Sequence, residues 1–159
     1  MPSRRLAAKL QGEAAESVFL SRAVSLGLTV SKPWGDSAKY DFIVDNGRRL
    51  FRTQVKSVAL PDGNSYRITS GSGNRAKLPY TSAQIDLLAA YVEPFDTWYL
   101  IPVEAFTPAT TIRLCPHRPS RRKFERFREA WGLLHLAGTG LGGRVGLQPR
   151  VTSRGRSGL

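Results

Sequence analysis

Leucine and valine residues recur at helical spacing in the first part of the chain. They fall on one stripe of a helix that spans roughly residues 4–26, and they are Leu6, Leu10, Leu20 and Val24. Gly27 follows directly and is typical of a helix C-cap. The pattern predicts a long first helix with an apolar stripe.

A second apolar stripe of helical spacing lies near residue 130. Its members are separated by three, four and three residues, and they are Phe124, Phe127, Trp131 and Leu134. Ser120 stands where a cap is expected, and the other face is basic, with Arg121, Arg122, Arg126 and Arg128. We expect a basic amphipathic helix here.

Between the two helices the pattern is that of strands. Residues 40–45 and 49–57 flank Asn46-Gly47, a strong signal for a two-residue hairpin loop. Further strands are expected at 28–30, 66–69, 87–92 and 97–101. A short helix is expected to begin at the capping box Thr81-Ser82-Ala83-Gln84. The sequence of elements predicts an α/β domain.

Composition indicates one soluble domain followed by a tail. We expect the domain to span residues 1–136. Residues 137–159 are rich in glycine and arginine and are expected to be disordered. No apolar run approaches the roughly 20 residues that span a bilayer, and the N-terminus lacks the apolar stretch of a secretory signal, so we expect a cytoplasmic protein without membrane contact. Cys115 is the only cysteine, which excludes an internal disulfide framework and a Cys-rich zinc site.

The charge balance favours an anionic partner. Lys and Arg total 24 against 12 acidic residues, for a net charge of +12. A field of this size attracts a polyanion, and nucleic acid is the most common one. The alternative is a solvated basic tail without a specific partner.

The hairpin brings three chemically useful side chains to one face. With a two-residue loop, Asp41 lies opposite Arg52, and alternate residues Gln54 and Lys56 share that face. A carboxylate and an amide oxygen suit Mg²⁺, and the Val55 carbonyl adds a third oxygen if the strand edge is open there. Lys56 is placed to orient or activate water. On spacing alone, residues of this kind more often form a solvated sheet face.

The wider sequence resembles the PD-(D/E)XK nuclease superfamily. The resemblance rests on four short motifs: Gly12-x-x-x-Glu16, Gly35-Asp36, Tyr40-Asp41 and Gln54-Val55-Lys56-Ser57. It is strongest for the branch that contains a cyanobacterial group I intron homing endonuclease and its bacterial relatives. Segments around Tyr80, Ile85-Asp86, Tyr91 and Trp98-Tyr99-Leu100-Ile101-Pro102 extend it.

The resemblance implies a fold and a set of roles. The fold is a restriction-endonuclease-like core of a helix, a three-stranded antiparallel meander, a helix and a further strand. Asp41 matches the metal-binding aspartate, Lys56 the catalytic lysine, and Glu16 a helix glutamate that helps to hold metal or water. Gln54 stands at the second acidic position, where most relatives carry Asp or Glu.

These features predict a metal-dependent endodeoxyribonuclease. Mg²⁺ is the expected cofactor, with Mn²⁺ as a substitute, and its expected ligands are Asp41, Gln54, Val55 and Glu16. Double-stranded DNA is the expected substrate, contacted by Arg52, Arg75, Lys77, Arg121, Arg122 and Lys123. Because cutting a duplex requires two nicks, a homodimer or homotetramer is expected.

Two other functions fit the same residues. The first is a nucleic-acid-binding module that kept the fold and lost catalysis. The second is a Holliday-junction resolvase. Three tryptophans, Trp34, Trp98 and Trp131, are expected in the core, and Glu13 on the surface.

Overall fold

A five-stranded mixed sheet lies at the centre of the computed structural model, which describes residues 4–73, 76–118 and 122–136. The elements are α1 (Arg4–Ser25), β1 (Thr29–Ser31), β2 (Phe42–Asp45), β3 (Leu50–Val58), β4 (Tyr66–Thr69), β5 (Gly71–Ser72), β6 (Leu78–Pro79), β7 (Leu87–Val92), β8 (Thr97–Pro102), α2 (Val103–Phe106), β9 (Thr111–Leu114) and α3 (Gly132–Leu136). Single 3₁₀ turns occur at Glu93–Phe95 and Glu125–Phe127.

The central sheet has the strand order β1-β2-β3-β7-β8. Strands β1, β2 and β3 form the expected antiparallel meander, and β7 pairs with β3 in parallel. Strand β4 leaves this sheet and pairs with β9, while β5 pairs with β6. This mixed architecture is restriction-endonuclease-like, as expected.

The β2–β3 loop has four residues instead of the two predicted. Asp45 pairs with Leu50, and the Asn46 Oδ1 accepts hydrogen bonds from the backbone N–H groups of Arg48 at 3.0 Å and Arg49 at 2.8 Å. The pairing therefore moves by two residues, so that Ile43 lies opposite Arg52. Because side chains alternate with a period of two, this shift leaves the predicted grouping of faces unchanged.

Helix α1 turns a different face to the sheet than the leucine stripe predicted. The predicted stripe is exposed, with Leu6 at 47%, Leu10 at 52%, Leu20 at 39% and Val24 at 55%. The buried residues are Ala15, Phe19 and Ala23, at 3%, 0% and 0%. Alanines let the helix approach the sheet closely, and Phe19 fills the space between them by stacking on Phe42 with a centroid distance of 5.6 Å.

Two apolar cores cover the two faces of the sheet. The core under α1 contains Phe42, Val44, Val55, Trp98 and Trp131. The opposite core lies under the β4–β9 pair and contains Tyr66, Ile68, Tyr80, Tyr99 and Leu114.

Trp98 and Trp131 are buried as predicted, whereas Trp34 is fully exposed at 102% in the loop between β1 and β2, so its predicted core position is wrong.

Two predicted helices take other forms. Residues Thr81 to Gln84 make a turn, closed by hydrogen bonds from the Gln84 and Ile85 N–H groups to the Thr81 carbonyl at 2.9 and 3.1 Å. The expected last helix is interrupted at Glu129, whose φ of 48° is left-handed.

The apolar stripe of that last segment is nevertheless buried. Phe124 and Phe127 join one core while Trp131 and Leu134 join the other, so the chain passes along the edge of β8 from one face to the other. The predicted cap Ser120 and the predicted tail 137–159 lie outside the described residues. Among the described helices, none is long and apolar enough to cross a membrane.

Candidate active site

Strand β3 extends past the start of β2 and leaves one of its edges open. The β2–β3 ladder ends at Phe42 opposite Thr53, whereas β7 accompanies β3 as far as Val58. Asp41 precedes β2 by one residue, and its backbone N–H still donates to the Thr53 carbonyl at 3.0 Å. Beyond Thr53 the Asp41 side chain replaces the missing backbone partner of β3, because its Oδ2 accepts the Val55 N–H at 2.8 Å.

This open edge forms one wall of a cleft of about 330 Å³ against α1. A glycine and alanines on that helix leave room for it. The cleft is lined by Ala8, Gln11, Gly12, Ala15, Glu16, Asp41, Gln54, Val55, Lys56 and Ser57. The structure thus brings the four predicted catalytic residues into one cavity, together with the backbone of Val55.

Three polar groups converge at the floor of this cleft. The Gln54 Nε2 donates hydrogen bonds to the Asp41 Oδ2 and, at 3.2 Å, to the Val55 carbonyl oxygen. Gln54 is buried, with 6% of its surface exposed. The amide group therefore sits between two oxygen atoms and satisfies both.

The same arrangement fits a hard cation. Rotating the Gln54 amide by about 180° exchanges its nitrogen and oxygen without moving other atoms, and it would present three oxygens to one point. Oxygen ligands of this kind suit Mg²⁺. No group of three or more His, Cys, Asp or Glu side chains that could hold a metal occurs in the described ranges, so a cation in this cleft would need the oxygens of the Gln54 amide and the Val55 carbonyl as ligands beside Asp41.

Burial governs the acidity of Asp41. Its pKa is raised above the ordinary value of 3.8, mainly because burial disfavours the charged carboxylate, and the neighbouring Glu16 adds to this effect. The Val55 N–H and the positive charges of Lys56 and Lys32 oppose it. A carboxylate that is costly to ionise gains free energy when a cation binds it.

Glu16 has a partner that the sequence did not indicate. The Lys32 Nζ lies 2.7 Å from the Glu16 Oε2, and this hydrogen bond is the main cause of a raised Lys32 pKa. Asp41 also contributes to that shift. Lys32 follows β1 directly in a turn-rich loop, and nothing in its local pattern reveals a pairing with a helix residue sixteen positions earlier.

Tyr80 borders the same region from the other core. It is 3% exposed, and burial together with the charge of Asp41 raises its pKa to about 12. Its phenol therefore stays protonated at neutral pH. Asp36, the acid of the predicted Gly-Asp motif, is exposed in the loop before Asp41.

The guanidinium group of Arg52 donates its hydrogen bonds to acceptors within the protein. Its guanidinium donates to the Asp86 carboxylate through Nε at 3.0 Å, to the Ser82 carbonyl through an Nη at 2.6 Å, and to the Ala83 carbonyl through the other Nη. Most of its donors are thus engaged inside the protein. This geometry favours a role in holding β3 to the turn before β7 over the predicted DNA contact.

The other predicted DNA-binding residues lie apart from the cleft or outside the described residues. Arg122 and Lys123 line a separate surface cleft next to β9. The Lys77 Nζ donates to the Gly73 carbonyl at 2.7 Å near β5 and β6. Arg75 and Arg121 lie outside the described residues.

Comparison with known proteins agrees with this geometry. A family model described as PD-(D/E)XK endonuclease matches residues 6–134. The solved structure of a bacterial homing endonuclease, I-Ssp6803I, superposes with a TM-score of 0.69 and 31% sequence identity, covering 80% of this chain and 92% of that one. No curated protein matches the sequence. The family match spans most of the chain and includes every residue of the cleft, and the chain therefore belongs to the PD-(D/E)XK endonuclease family.

Proposed function

We propose that this protein is a Mg²⁺-dependent endonuclease that hydrolyses phosphodiester bonds of double-stranded DNA. The observation that carries the proposal is the convergence of the Asp41 carboxylate, the Gln54 amide and the Val55 carbonyl on one open strand edge. Lys56 and Glu16 line the same cleft.

Each of these residues has a distinct task. Asp41, Gln54 and Val55 would hold the ion, with Glu16 able to hold metal or a water molecule once Lys32 releases it. Bound Mg²⁺, or Mn²⁺ in its place, supplies Lewis acidity toward the phosphate and lowers the pKa of bound water. Lys56 is a compact ammonium donor that can orient or activate the attacking water or stabilise charge on the phosphate.

DNA as the substrate is supported by the name of the similar structure and by charge. That protein is described as a homing endonuclease, a class that acts on DNA. The net charge of +12 favours a phosphate polymer through counterion release. A homodimer or homotetramer belongs to the same proposal, because one cleft cuts one strand at a time. The proposed location is the cytoplasm.

The test is plasmid cleavage in Mg²⁺, compared across matched pairs of variants. We expect a loss in cleavage rate of about 100-fold or more for Asp41→Asn and Lys56→Ala. For Glu16→Gln we expect a loss of about tenfold. The respective controls are Asp45→Asn at the end of β2, Lys39→Ala in the loop before β2, and Glu13→Gln one helical turn before Glu16. Equal cleavage by Asp41→Asn and wild type contradicts the proposed site.

One observation favours a second function, a DNA-binding module without catalysis. Gln54 is neutral, and in this structure its amide already satisfies Asp41 in place of a cation. This alternative predicts salt-sensitive DNA binding without cleavage in Mg²⁺ or Mn²⁺. Metal-dependent turnover that Asp41→Asn abolishes excludes it.

A further inference from the structure

The β4–β9 pair turns a polar face outward. Its alternate residues Tyr66, Ile68, Ile112 and Leu114 are buried in the core, and the opposite face carries Arg67, Thr69, Thr111 and Arg113, all exposed. In the antiparallel register Arg67 lies directly opposite Arg113, and Thr69 lies opposite Thr111. We call this two-stranded element, β4 with β9, the arginine ribbon.

A single carboxylate orients both arginines. The Asp62 Oδ2 lies 3.3 Å from the Arg67 Nε and 3.0 Å from an Nη of Arg113. The other Nη of Arg113 donates to the Ser65 hydroxyl at 2.8 Å. Two long, flexible side chains are thereby held side by side with their directions fixed.

The stability of the fold gains little from this arrangement. The arginine side chains remain 62% and 56% exposed, and exposed ion pairs contribute only about 0–1 kcal/mol. Placing two like charges directly opposite each other on a sheet is itself unfavourable. A pre-oriented pair of guanidinium groups on the surface is better suited to an external acceptor.

A basic cleft continues the same surface. It has a volume of about 530 Å³ and begins at Thr111 and Arg113 on β9. Its far side holds Arg122 and Lys123. Among the described residues of the ribbon and this cleft, four cationic side chains accompany the carboxylate of Asp62, a net charge of 4 − 1 = +3.

We propose that the arginine ribbon lies in the major groove of duplex DNA, where Arg67 and Arg113 contact guanine edges, while Arg122 and Lys123 contact the phosphate backbone beside it. The major groove of B-DNA is about 12 Å wide and admits a two-stranded ribbon. Arginine donating to guanine O6 and N7 is the most common base-specific contact. This inference rests on the proposed function, because it takes DNA as the substrate.

The experiment measures binding in EDTA, so that cleavage does not enter. Wild-type protein selects its preferred duplexes from a randomised library, and the affinity of each variant for the selected duplex is then measured. Arg67→Ala and Arg113→Ala are expected to bind about 5- to 100-fold more weakly and to lose sequence preference. Arg49→Ala is the matched control, since Arg49 is 55% exposed and also pairs with an aspartate, and it is expected to change affinity less than twofold.

Two further measurements separate base reading from simple charge. Replacing the selected guanines by 7-deazaguanine should weaken wild-type binding and leave the binding of the double variant Arg67→Ala/Arg113→Ala unaffected. Arg67→Lys keeps the charge but not the fork of donors, so it should lose preference while retaining non-specific affinity. Thermal melts of all variants establish that each one is folded.

Three results overturn the inference. The first is binding and selection by Arg67→Ala and Arg113→Ala that match the Arg49→Ala control. The second is a uniform loss of affinity with a smaller salt dependence and unchanged preference, which indicates phosphate contacts only. The third is the absence of duplex binding by wild type. Each is distinct from a failure of the proposed function, which would appear as missing Mg²⁺-dependent cleavage.

Discussion

Asp86 accepts hydrogen bonds from both the backbone and the guanidinium of Arg52. Its Oδ2 lies 2.8 Å from the Arg52 backbone nitrogen and 3.0 Å from its Nε, and its Oδ1 lies 3.2 Å from an Nη. In return, the Asp86 backbone N–H donates to the Arg52 carbonyl at 2.8 Å. These two residues join β3 to the start of β7 at the point where the parallel pairing begins.

We predict that Asp86→Ala lowers the free energy of unfolding by about 2–3 kcal/mol, because charged hydrogen bonds in a half-buried setting are lost. The Asp86 pKa is lowered despite burial, since hydrogen bonds from Arg52 stabilise the carboxylate. Its stabilising contribution is therefore present above the ordinary value of 3.8 and is lost as pH falls through the folded-state pKa. Urea titrations at pH 7 and at successively lower pH measure both effects. Arg49→Ala, which removes a 3.4 Å contact to Asp86 and a cation–π contact with Phe51, should change stability by less than about 1 kcal/mol.

Gln54→Glu should lower the stability of the metal-free protein and strengthen its binding of Mg²⁺. In the absence of metal, a second carboxylate next to Asp41 removes an amide donor and adds repulsion, which should lower the melting temperature. In Mg²⁺ the added charge should tighten binding by about tenfold or more. Calorimetric titration and melts with and without Mg²⁺ test this. Gln84→Glu, in an exposed turn, is the control, and equal Mg²⁺ affinity of Gln54→Glu and wild type would count against the proposed ligand set.

Asp41→Asn should stabilise the protein without metal, increasingly so at higher pH. Because burial raises the Asp41 pKa, the contribution of this carboxyl group is fully favourable below 3.8 and is lost as pH rises through the folded-state pKa. Asparagine does not titrate, so the variant should melt above wild type at pH 7 in EDTA and show a smaller difference near pH 4. Added Mg²⁺ should raise the melting temperature of wild type alone. A lower melting temperature for Asp41→Asn at pH 7 in EDTA would argue against this account.

Lys32→Ala should strengthen Mg²⁺ binding by about two- to fivefold. The substitution frees Glu16 and removes a positive charge near Asp41, and an exposed ion pair of this kind contributes at most about 1 kcal/mol. In a double-mutant cycle, the gain should disappear when Glu16→Gln is already present. Lys39→Ala, in the same loop region, provides the charge control. An unchanged Mg²⁺ affinity for Lys32→Ala would show that Lys32 and the metal do not compete for Glu16.

Trp34 should account for nearly all of the quenchable tryptophan fluorescence. It is fully exposed, whereas Trp98 and Trp131 are 3% and 5% exposed. Acrylamide or iodide should therefore quench wild type and should have little effect on Trp34→Phe. Stability should change by less than about 0.5 kcal/mol, as expected for a surface substitution. Strong quenching that persists in Trp34→Phe would contradict the burial of the other two indoles.

The strand pattern predicted that Asp41, Gln54 and Lys56 share one face, although it gave the wrong loop length. Asp41, Gln54 and Lys56 kept their common side because the register error was two residues, whereas an error of one would have reversed it. Helix α1 shows the opposite case. Leucines are more apolar than alanines, yet close packing of the helix on the sheet selected Ala15 and Ala23 for the interface.

Other features depend on contacts that no local pattern records. The Glu16–Lys32 pair joins a helix to a loop, and the β4–β9 pairing joins residues more than forty positions apart. The break at Glu129 divides the apolar stripe of residues 124–134 between two cores, although these residues are spaced along the sequence as in one helix. Periodicity identified which of these residues are buried, but it could not identify which core receives them.

The parallel pairing of β3 with β7 also has a consequence for biosynthesis. The β2–β3 hairpin can form as soon as it leaves the ribosome, but the other edge of β3 must wait for residues 87–92. Until then a nine-residue strand with a buried core face presents unpaired backbone groups, the kind of edge through which nascent chains aggregate. Chains truncated before Leu87 should therefore accumulate in the insoluble fraction of cells, and slower elongation after Val58 should increase the demand for chaperones.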